Sequence, residues 1–387
     1  MKNFSFYAPT YFAFGKDEEK KVPELIVRFG GSRVLLVYGG GTIKKMGLYA
    51  SVTDALKNSG IYFSELGGVK PNPRSDLVYE GIKICKRDKI DFVLAVGGGS
   101  SIDTAKAIAM GAKYDGDFWD FFCGTPITDA LPIGTVLTIA AAGSEGSTNT
   151  VITHENKKWG TGGLALRPKF SVLNPELTYT LPAYQTASGA TDIIMHICER
   201  YFSNTTGVEV TDRLCEAILL TMIKETPVAL KDPKNYDARA NIMWAGMLAH
   251  NDICGVGRTQ DWASHGIEHE LSTLYDVAHG AGLAVVAPAW MKYVMTKNTN
   301  KFLQFAIRVW GCQMDFEHPE KTMLEGIERF EKFLKSIGMP TTLKELGANV
   351  NDIPKIVGNM KIADGGTLGN FVKLNKDDVT AILKLAN

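Results

Sequence analysis

Asp192 and His196 stand four residues apart in ATDIIMHIC, and His265 and His269 stand four apart in WASHGIEHE. On a helix, positions i and i+4 share a face, so each pair turns its two polar groups the same way. The first run is otherwise apolar (Ile193, Ile194, Met195, Ile197), and a carboxylate buried there needs a partner. His279 follows in HGAG, beyond a turn marked by Tyr275 and Asp276. Asp192, His196, His265 and His279 together offer one oxygen and three nitrogens. That donor set suits a divalent transition ion such as Fe²⁺ or Zn²⁺ and leaves a position open for water or substrate. The competing reading is an Asp–His hydrogen bond in a helical core, with no ion. HGIEH is not the H-E-x-x-H metalloprotease motif, because Glu268 adjoins the second histidine. Of the other histidines, His154 and His318 read as surface residues in charged loops, and His250 as the partner of a helix C-terminus.

Two glycine turns offer a second kind of chemistry. GGGSSID follows the apolar run DFVLAV and opens a helix. Glycine lets backbone approach a ligand closely, and a helix N-terminus presents N–H groups and partial positive charge to a phosphate. Ser100 and Asp103 also have the S-x-x-D spacing of a capping pair. The stretch is neither G-x-G-x-x-G nor a Walker A loop, so a plain strand-to-helix turn is the alternative. The other turn, YGGGT at 38–42, has Gly39 and Gly40 where an NAD-specific enzyme often carries an acid facing the ribose 2′-OH. No carboxylate stands in that place, and Lys44 and Lys45 are near. This favours NADP(H) with NAD(H) possible; alternatively the two lysines are a solvated helix face.

These residues need elements to position them. RVLLVYGGG, IYFSELGGV and DFVLAVGGGSS read as strands entering turns, and 42–60, 75–89 and 102–113 as the helices between them, with Ser75 as an N-cap. That rhythm predicts right-handed βαβ units on a mostly parallel sheet. After about residue 180 strand-like runs become scarce and long helical patterns take over, with Pro182 interrupting the pattern between them. The expected organisation is an α/β Rossmann-like domain over 1–180 and an all-helical, metal-binding domain over 181–387.

The 387 residues suffice for two such domains. Lys plus Arg equals Asp plus Glu at 42 each, which gives no general pull on nucleic acid or an anionic membrane. The six cysteines contain no C-x-x-C pair and read as reduced, mostly buried thiols of a cytoplasmic protein. No run approaches the ~18 apolar residues of a membrane span, and the N-terminus lacks a signal-peptide core.

Taken together, GGGSSIDTAK, GSE at 143–145, LNPELTYTLP, D-x-x-x-H at 192–196 and WASHGIEHELSTLYDVAHGAG resemble the iron-containing (group III) alcohol dehydrogenases. YGGGT followed by KK, YDARANIMWAGMLA and QDWASHGIEHEL are most similar to the butanol dehydrogenase and NADPH-dependent aldehyde reductase branch. The resemblance runs over essentially the whole chain. It implies a dinucleotide-binding α/β domain and an all-helical domain (the dehydroquinate synthase-like fold), with the site in the cleft, and a homodimer. By resemblance, Asp192, His196, His265 and His279 are the metal ligands, and His269 is a histidine near the nicotinamide and a candidate proton relay. Gly98, Gly99 and Ser100 fall at the pyrophosphate and Gly39, Gly40 and Thr42 at the adenosine ribose. Asp103, Thr138 and Lys158 match cofactor-side positions. One departure stands out: the family's threonine before GSE is Ala142 here.

The implied reaction is hydride transfer between a nicotinamide and a primary alcohol or aldehyde such as butanol or butanal, with the ion as a Lewis acid on the substrate oxygen. Alternatives are a glycerol or other polyol dehydrogenase on the same fold, a lyase of the dehydroquinate synthase type, and a non-catalytic nucleotide- or metal-binding sensor. Trp262 and Tyr179 are candidate aromatics of the substrate pocket.

Overall fold

The computed structural model describes residues 1–155, 157–360, 362 and 366–387 of the chain. Its contacts divide it into two compact units, Tyr7–Leu181 with Pro233–Asn251, and Met1–Phe6 with Pro182–Asp232 and Asp252–Asn387.

The first unit is built on a parallel sheet of six strands in the order β1-β8-β5-β4-β2-β3. Its strands are β1 (Tyr11–Phe14), β2 (Arg33–Tyr38), β3 (Tyr62–Leu66), β4 (Phe92–Gly97), β5 (Ile133–Leu137) and β8 (Phe170–Leu173), while β6 (Asn149–His154) and β7 (Lys157–Gly162) form an antiparallel hairpin. β4 and β5 are buried along their whole length, which is why they read as continuous apolar runs without alternation. The helices between strands are α1 (Val22–Arg28), α2 (Thr42–Lys45), α3 (Leu48–Asn58), α4 (Ser75–Asp88) and α5 (Gly99–Ala112). Leu25, Ile26, Val52 and Leu56 from α1 and α3 pack on Val34, Leu36, Leu94 and Val96 of the central strands.

Three local expectations change. The single helix expected over 42–60 is two, because Gly47 adopts a left-handed φ of 76° between them. Ser75 lies inside α4 behind the cap residue Arg74, and its hydroxyl meets His154 Nδ1 at 2.9 Å instead. At α5 the cap residue is Gly98 and no side chain caps the helix, so Ser100 and Asp103 are not its capping pair.

The sequence placed one break near residue 180. In the structure the chain returns to the sheet unit for α8 (Tyr236–His250). The apolar face of α8 explains this: Trp244 meets Phe12 and Phe14 edge-on, with ring centroids 5.9 and 5.7 Å apart.

The second unit is helical. It comprises α6 (Ala183–Tyr201), α7 (Glu209–Lys231), α9 (Ala263–Tyr275), α10 (His279–Val294), α11 (Thr299–Arg308), α12 (Pro319–Ser336), α13 (Leu343–Leu346), α14 (Ile353–Asn359) and α15 (Lys376–Leu385). α10 is buried on nearly every face from Gly280 to Met291, the pattern of a helix surrounded by others. Phe202, Trp290, Phe302, Phe305 and Phe371 form an aromatic core beside it, with Phe202 and Phe302 ring centroids 4.6 Å apart. No helix among the described residues is long and apolar enough to cross a membrane.

Candidate metal centre and nucleotide-binding turns

Three helices of the second unit bring the sequence-selected donors together. α6 carries Asp192 and His196, α9 carries His265 and His269, and α10 begins at His279. Asp192 Oδ1 lies 3.4 Å from His196 Nδ1, 3.7 Å from His265 Nε2 and 3.6 Å from His279 Nε2. Donors around one four-coordinate ion at ~2.1 Å stand about 3.4 Å from each other; the donor atoms of Asp192, His265 and His279, all within 4.8 Å of one another, fit a single cation, while His196 meets Asp192 but does not join that mutually close group. The imidazole of His196 lies beside that of His265, centroids 4.8 Å apart and tilted by 34°. Asp192 Oδ1 and His265 Nε2 are buried and have no hydrogen-bond partner among the described residues. Such atoms are costly in a protein interior, and a bound cation satisfies both at once. Burial opposes a charge on His265, but Asp192 and Glu199 outweigh it and push its pKa up to about 9. An incoming ion therefore displaces a proton.

Two carboxylates that the sequence reading passed over stand behind these donors. Glu199, one helical turn beyond His196 on α6, accepts from His265 Nδ1 at 3.0 Å, and also from the backbone N–H groups of Trp262 and His265 at 2.8 and 3.0 Å. Glu268 on α9 holds His279 Nδ1 with one oxygen and the Ser272 hydroxyl with the other. The signal was present as H-x-x-E at 196–199 and 265–268, but a glutamate on a helix ordinarily reads as a solvated residue. Trp262 sits in the left-handed region at φ 71°, an uncommon place for a bulky residue. Its ring lies edge-on to His265 and His196 at 5.1 and 5.9 Å, beneath the Arg200 guanidinium at 4.6 Å. Trp262 is thus the aromatic wall of this centre. The half-buried His269 lies 5.7 Å from His279, ring to ring. Tyr179, the other aromatic candidate, belongs to the sheet unit, where Lys16, Tyr236 and Arg239 surround it.

The sheet unit gathers the nucleotide candidates. β4 ends at Gly97 and α5 starts at Gly99, so Gly98, Gly99 and Ser100 form a helix entrance whose N–H groups suit an anion. A Cβ on Gly98 would lie 2.2 Å from Ile139 Cγ2, and one on Gly99 would lie 3.0 Å from Ala142 Cβ. Only glycine fits at 98, and Ala142, the residue before the GSE stretch, packs against the entrance itself. The Thr138 N–H, just beyond β5, donates to the Gly97 carbonyl at 3.0 Å. Asp103 sits on α5 with both oxygens engaged: Ser144 Oγ donates to one at 2.6 Å and the Val151 N–H to the other at 3.0 Å. Desolvation raises its pKa, against the opposing pull of Lys106 and its hydrogen bonds. These bonds tie α5 to the 144–151 segment. Lys158, buried on β7, donates to Asn72 Oδ1 at 3.0 Å.

β2, hydrogen-bonded beside β4, ends at Tyr38 and runs into the turn Gly39–Gly41. A Cβ on Gly40 or Gly41 would meet nothing within 4 Å, so this turn is open, and Thr42 follows it at the exposed start of α2. Lys44 is more than a solvated residue: its Nζ lies 4.8 Å from the Tyr49 ring centroid and 5.5 Å from that of Tyr38. No carboxylate adjoins this turn along the chain, yet Glu65 on β3 reaches it, accepting from the Tyr38 and Tyr49 hydroxyls at 2.9 Å. Three-dimensional strand order, not chain distance, brings it there.

The remaining histidines divide. His154 is not a surface residue: it is half-buried, bonded to Ser75 and packed on Trp119 at 4.7 Å. His318 is exposed beside Glu320. His250 ends α8 with Nε2 3.4 Å from Asn149 Nδ2.

Comparison with known proteins bears on both units. The family model described as iron-containing alcohol dehydrogenase matches residues 9–175, and that of the C-terminal part of the Fe-containing alcohol dehydrogenase family matches 186–387. The chain is 43% identical to the probable NADH-dependent butanol dehydrogenase 1 of Bacillus subtilis, over 99% of both chains. It is 38% identical to the NADPH-dependent aldehyde reductase YqhD of Escherichia coli, over 93% of both. The crystal structure of an NADH-dependent butanol dehydrogenase A from Thermotoga maritima superposes with a TM-score of 0.96 at 45% identity, covering 100% of this chain and 99% of that one. Matches to both halves, in order and over the full length, leave one assignment: the chain belongs to the iron-containing alcohol dehydrogenase family, as an NAD(P)-dependent alcohol dehydrogenase.

Proposed function

We propose that this dehydrogenase interconverts short-chain primary alcohols and aldehydes, with butanol and butanal as the reference pair, and that Asp192, His196, His265 and His279 hold its divalent ion. The observation that carries the ligand assignment is the approach of three imidazoles to the buried Asp192 Oδ1, which has no hydrogen-bond partner among the described residues. The donor set accepts iron(II) or zinc. When bound, the ion supplies Lewis-acid polarisation of a C–O bond and the nicotinamide carries the hydride. The chain's own residues do the rest. Glu199 and Glu268 hold His265 and His279 in place, and Trp262 shields the imidazoles from water. His269, half-buried beside His279, passes a proton between the reacting oxygen and solvent through water.

In the same reading the nicotinamide cofactor is bound by Gly98, Gly99 and Ser100 at its pyrophosphate and by Gly39, Gly40 and Thr42 at its adenosine ribose, with Asp103, Thr138 and Lys158 supporting. NADP(H) is preferred and NAD(H) accepted: the open turn at Gly40–Gly41 has room for a 2′-phosphate, with Lys44 and Lys45 beside it. Glu65 pulls the other way, although two tyrosine hydroxyls hold its charge. The protein works in the cytoplasm as a homodimer; its six unpaired cysteines, five of them buried, suit a reducing compartment.

The test is the initial rate of butanal reduction by metal-reconstituted protein with NADPH and NADH side by side. Faster turnover with NADPH supports the full reading. Faster turnover with NADH keeps the aldehyde assignment, overturns the nucleotide preference and makes Glu65 the discriminating charge. Glycerol oxidation with no butanal reduction overturns the substrate assignment.

A further inference from the structure

The two imidazoles that turn Nε2 toward Asp192 each have Nδ1 against a buried carboxylate. Glu199 is 2% exposed and Glu268 is 0% exposed. Glu199 does two tasks at once: it takes the His265 ring N–H and two backbone N–H groups at the entrance of α9, groups that have no partner inside their own helix. The direction of α9 and the orientation of the His265 ring are therefore set by one side chain of α6. Glu268 is held from the other side by Ser272, one turn further along α9.

The packing around Glu268 explains a glycine. Gly282 follows His279 by three residues and so shares its face of α10. A Cβ there would lie 2.7 Å from Glu268 Cγ and 2.8 Å from Glu268 Oε1. The carboxylate occupies the volume that a side chain at 282 would take. Gly280 does the same for the helix pair, since a Cβ there would lie 1.9 Å from the Ser188 carbonyl oxygen. The two glycines let α10 settle against α6 and α9 with His279 directed at Asp192.

We propose that Glu199 and Glu268 are positioning residues of the metal centre, fixing the protonated nitrogen and ring orientation of His265 and His279, and that Gly282 is required because Glu268 fills its side-chain space. The inference rests on the metal reading of Asp192, His265 and His279. A carboxylate on Nδ1–H leaves Nε2 as the donor and makes it more basic, so both imidazoles meet an ion already aligned.

The experiment is cobalt(II) and zinc binding to chelator-treated protein, read by competition with a chromophoric chelator and by the visible spectrum of the cobalt form. Wild type, Asp192→Asn, Glu268→Gln, Glu268→Ala, Glu199→Gln and Gly282→Ala are compared, with circular dichroism as the check on folding. Glu268→Ala and Gly282→Ala should each weaken binding about 10- to 100-fold and alter the cobalt spectrum, with Glu268→Gln and Glu199→Gln between them and wild type. Folded Glu268→Gln and Gly282→Ala proteins with wild-type affinity and spectrum overturn the proposal, and Glu268→Gln keeps the test alive if Glu268→Ala does not fold. Failure of the underlying reading looks different: wild type itself binds no ion, or Asp192→Asn binds as tightly as wild type.

Discussion

Asp192 illustrates how far single residues carry the chemistry. Its Oδ1 is buried, lacks a hydrogen-bond partner among the described residues and faces three imidazole nitrogens within 3.7 Å. Such an atom is stable only when a cation or a proton meets it. His265→Ala removes one donor and the proton that competes with the ion, so it should abolish metal retention together with turnover; elemental analysis after gel filtration checks the first and a butanal assay the second. His269→Ala should lower turnover while the bound ion remains, and a rate equal to wild type across pH would remove His269 from proton transfer. The pairs Asp192 with His196 and His265 with His269 were legible in the sequence as i,i+4 neighbours on one helix face, and the structure places both pairs on helices; His279 had no such spacing to mark it. Glu199 and Glu268 were not legible, since nothing local separates a glutamate under an imidazole from one in water. Only the approach of α6, α9 and α10 makes that distinction.

Elements place these residues, and here the sequence was most informative where one strand and one helix sufficed. The β4–α5 turn was readable because its glycines, its apolar strand and its helix are contiguous. The break at Gly47 and the return of α8 to the sheet unit were not, because each depends on distant partners. The 144–149 segment is a similar case. Lys106 on α5 is fully buried, and its Nζ donates to the carbonyls of Ser144, Ser147 and Asn149 at 2.7, 2.9 and 2.8 Å and to the Ser144 hydroxyl at 2.9 Å. One ammonium thus fastens the stretch that follows Ala142 and contributes the Ser144 bond to Asp103. Lys106→Met keeps the apolar stem and strands three carbonyls at a cost of about 1–3 kcal/mol for each unsatisfied group. The variant should lose several °C in Tm, and its affinity for NADPH, measured by nucleotide fluorescence, should fall with it. An unchanged Tm would mean that water takes over the carbonyls and that the lysine is dispensable to the turn.

At the scale of the whole molecule, charge balance decides which groups govern its response to pH. With 42 basic and 42 acidic residues, net repulsion is small near neutrality, so buried carboxylates dominate. Glu145 is one. Desolvation pushes its pKa up to about 7, against the pull of its own backbone N–H and Lys106. Below pH ~4.5 the folded and unfolded chains both hold this proton, and Glu145 contributes nothing to the pH dependence. As pH rises the unfolded chain releases the proton first while the folded chain keeps it, so the folded state is progressively penalised until pH passes about 7. The penalty then levels off at about 3 kcal/mol on the usual conversion of pKa to free energy. Glu145→Gln removes the charge at nearly constant shape. Its stability relative to wild type should be smallest at pH 4.5 and rise to a plateau above pH 7, measured as urea midpoints of chelator-treated protein so that ion binding does not enter. A difference that is flat with pH would mean that Glu145 ionises in the folded chain as readily as in the unfolded one, with water or Lys106 meeting its buried oxygen.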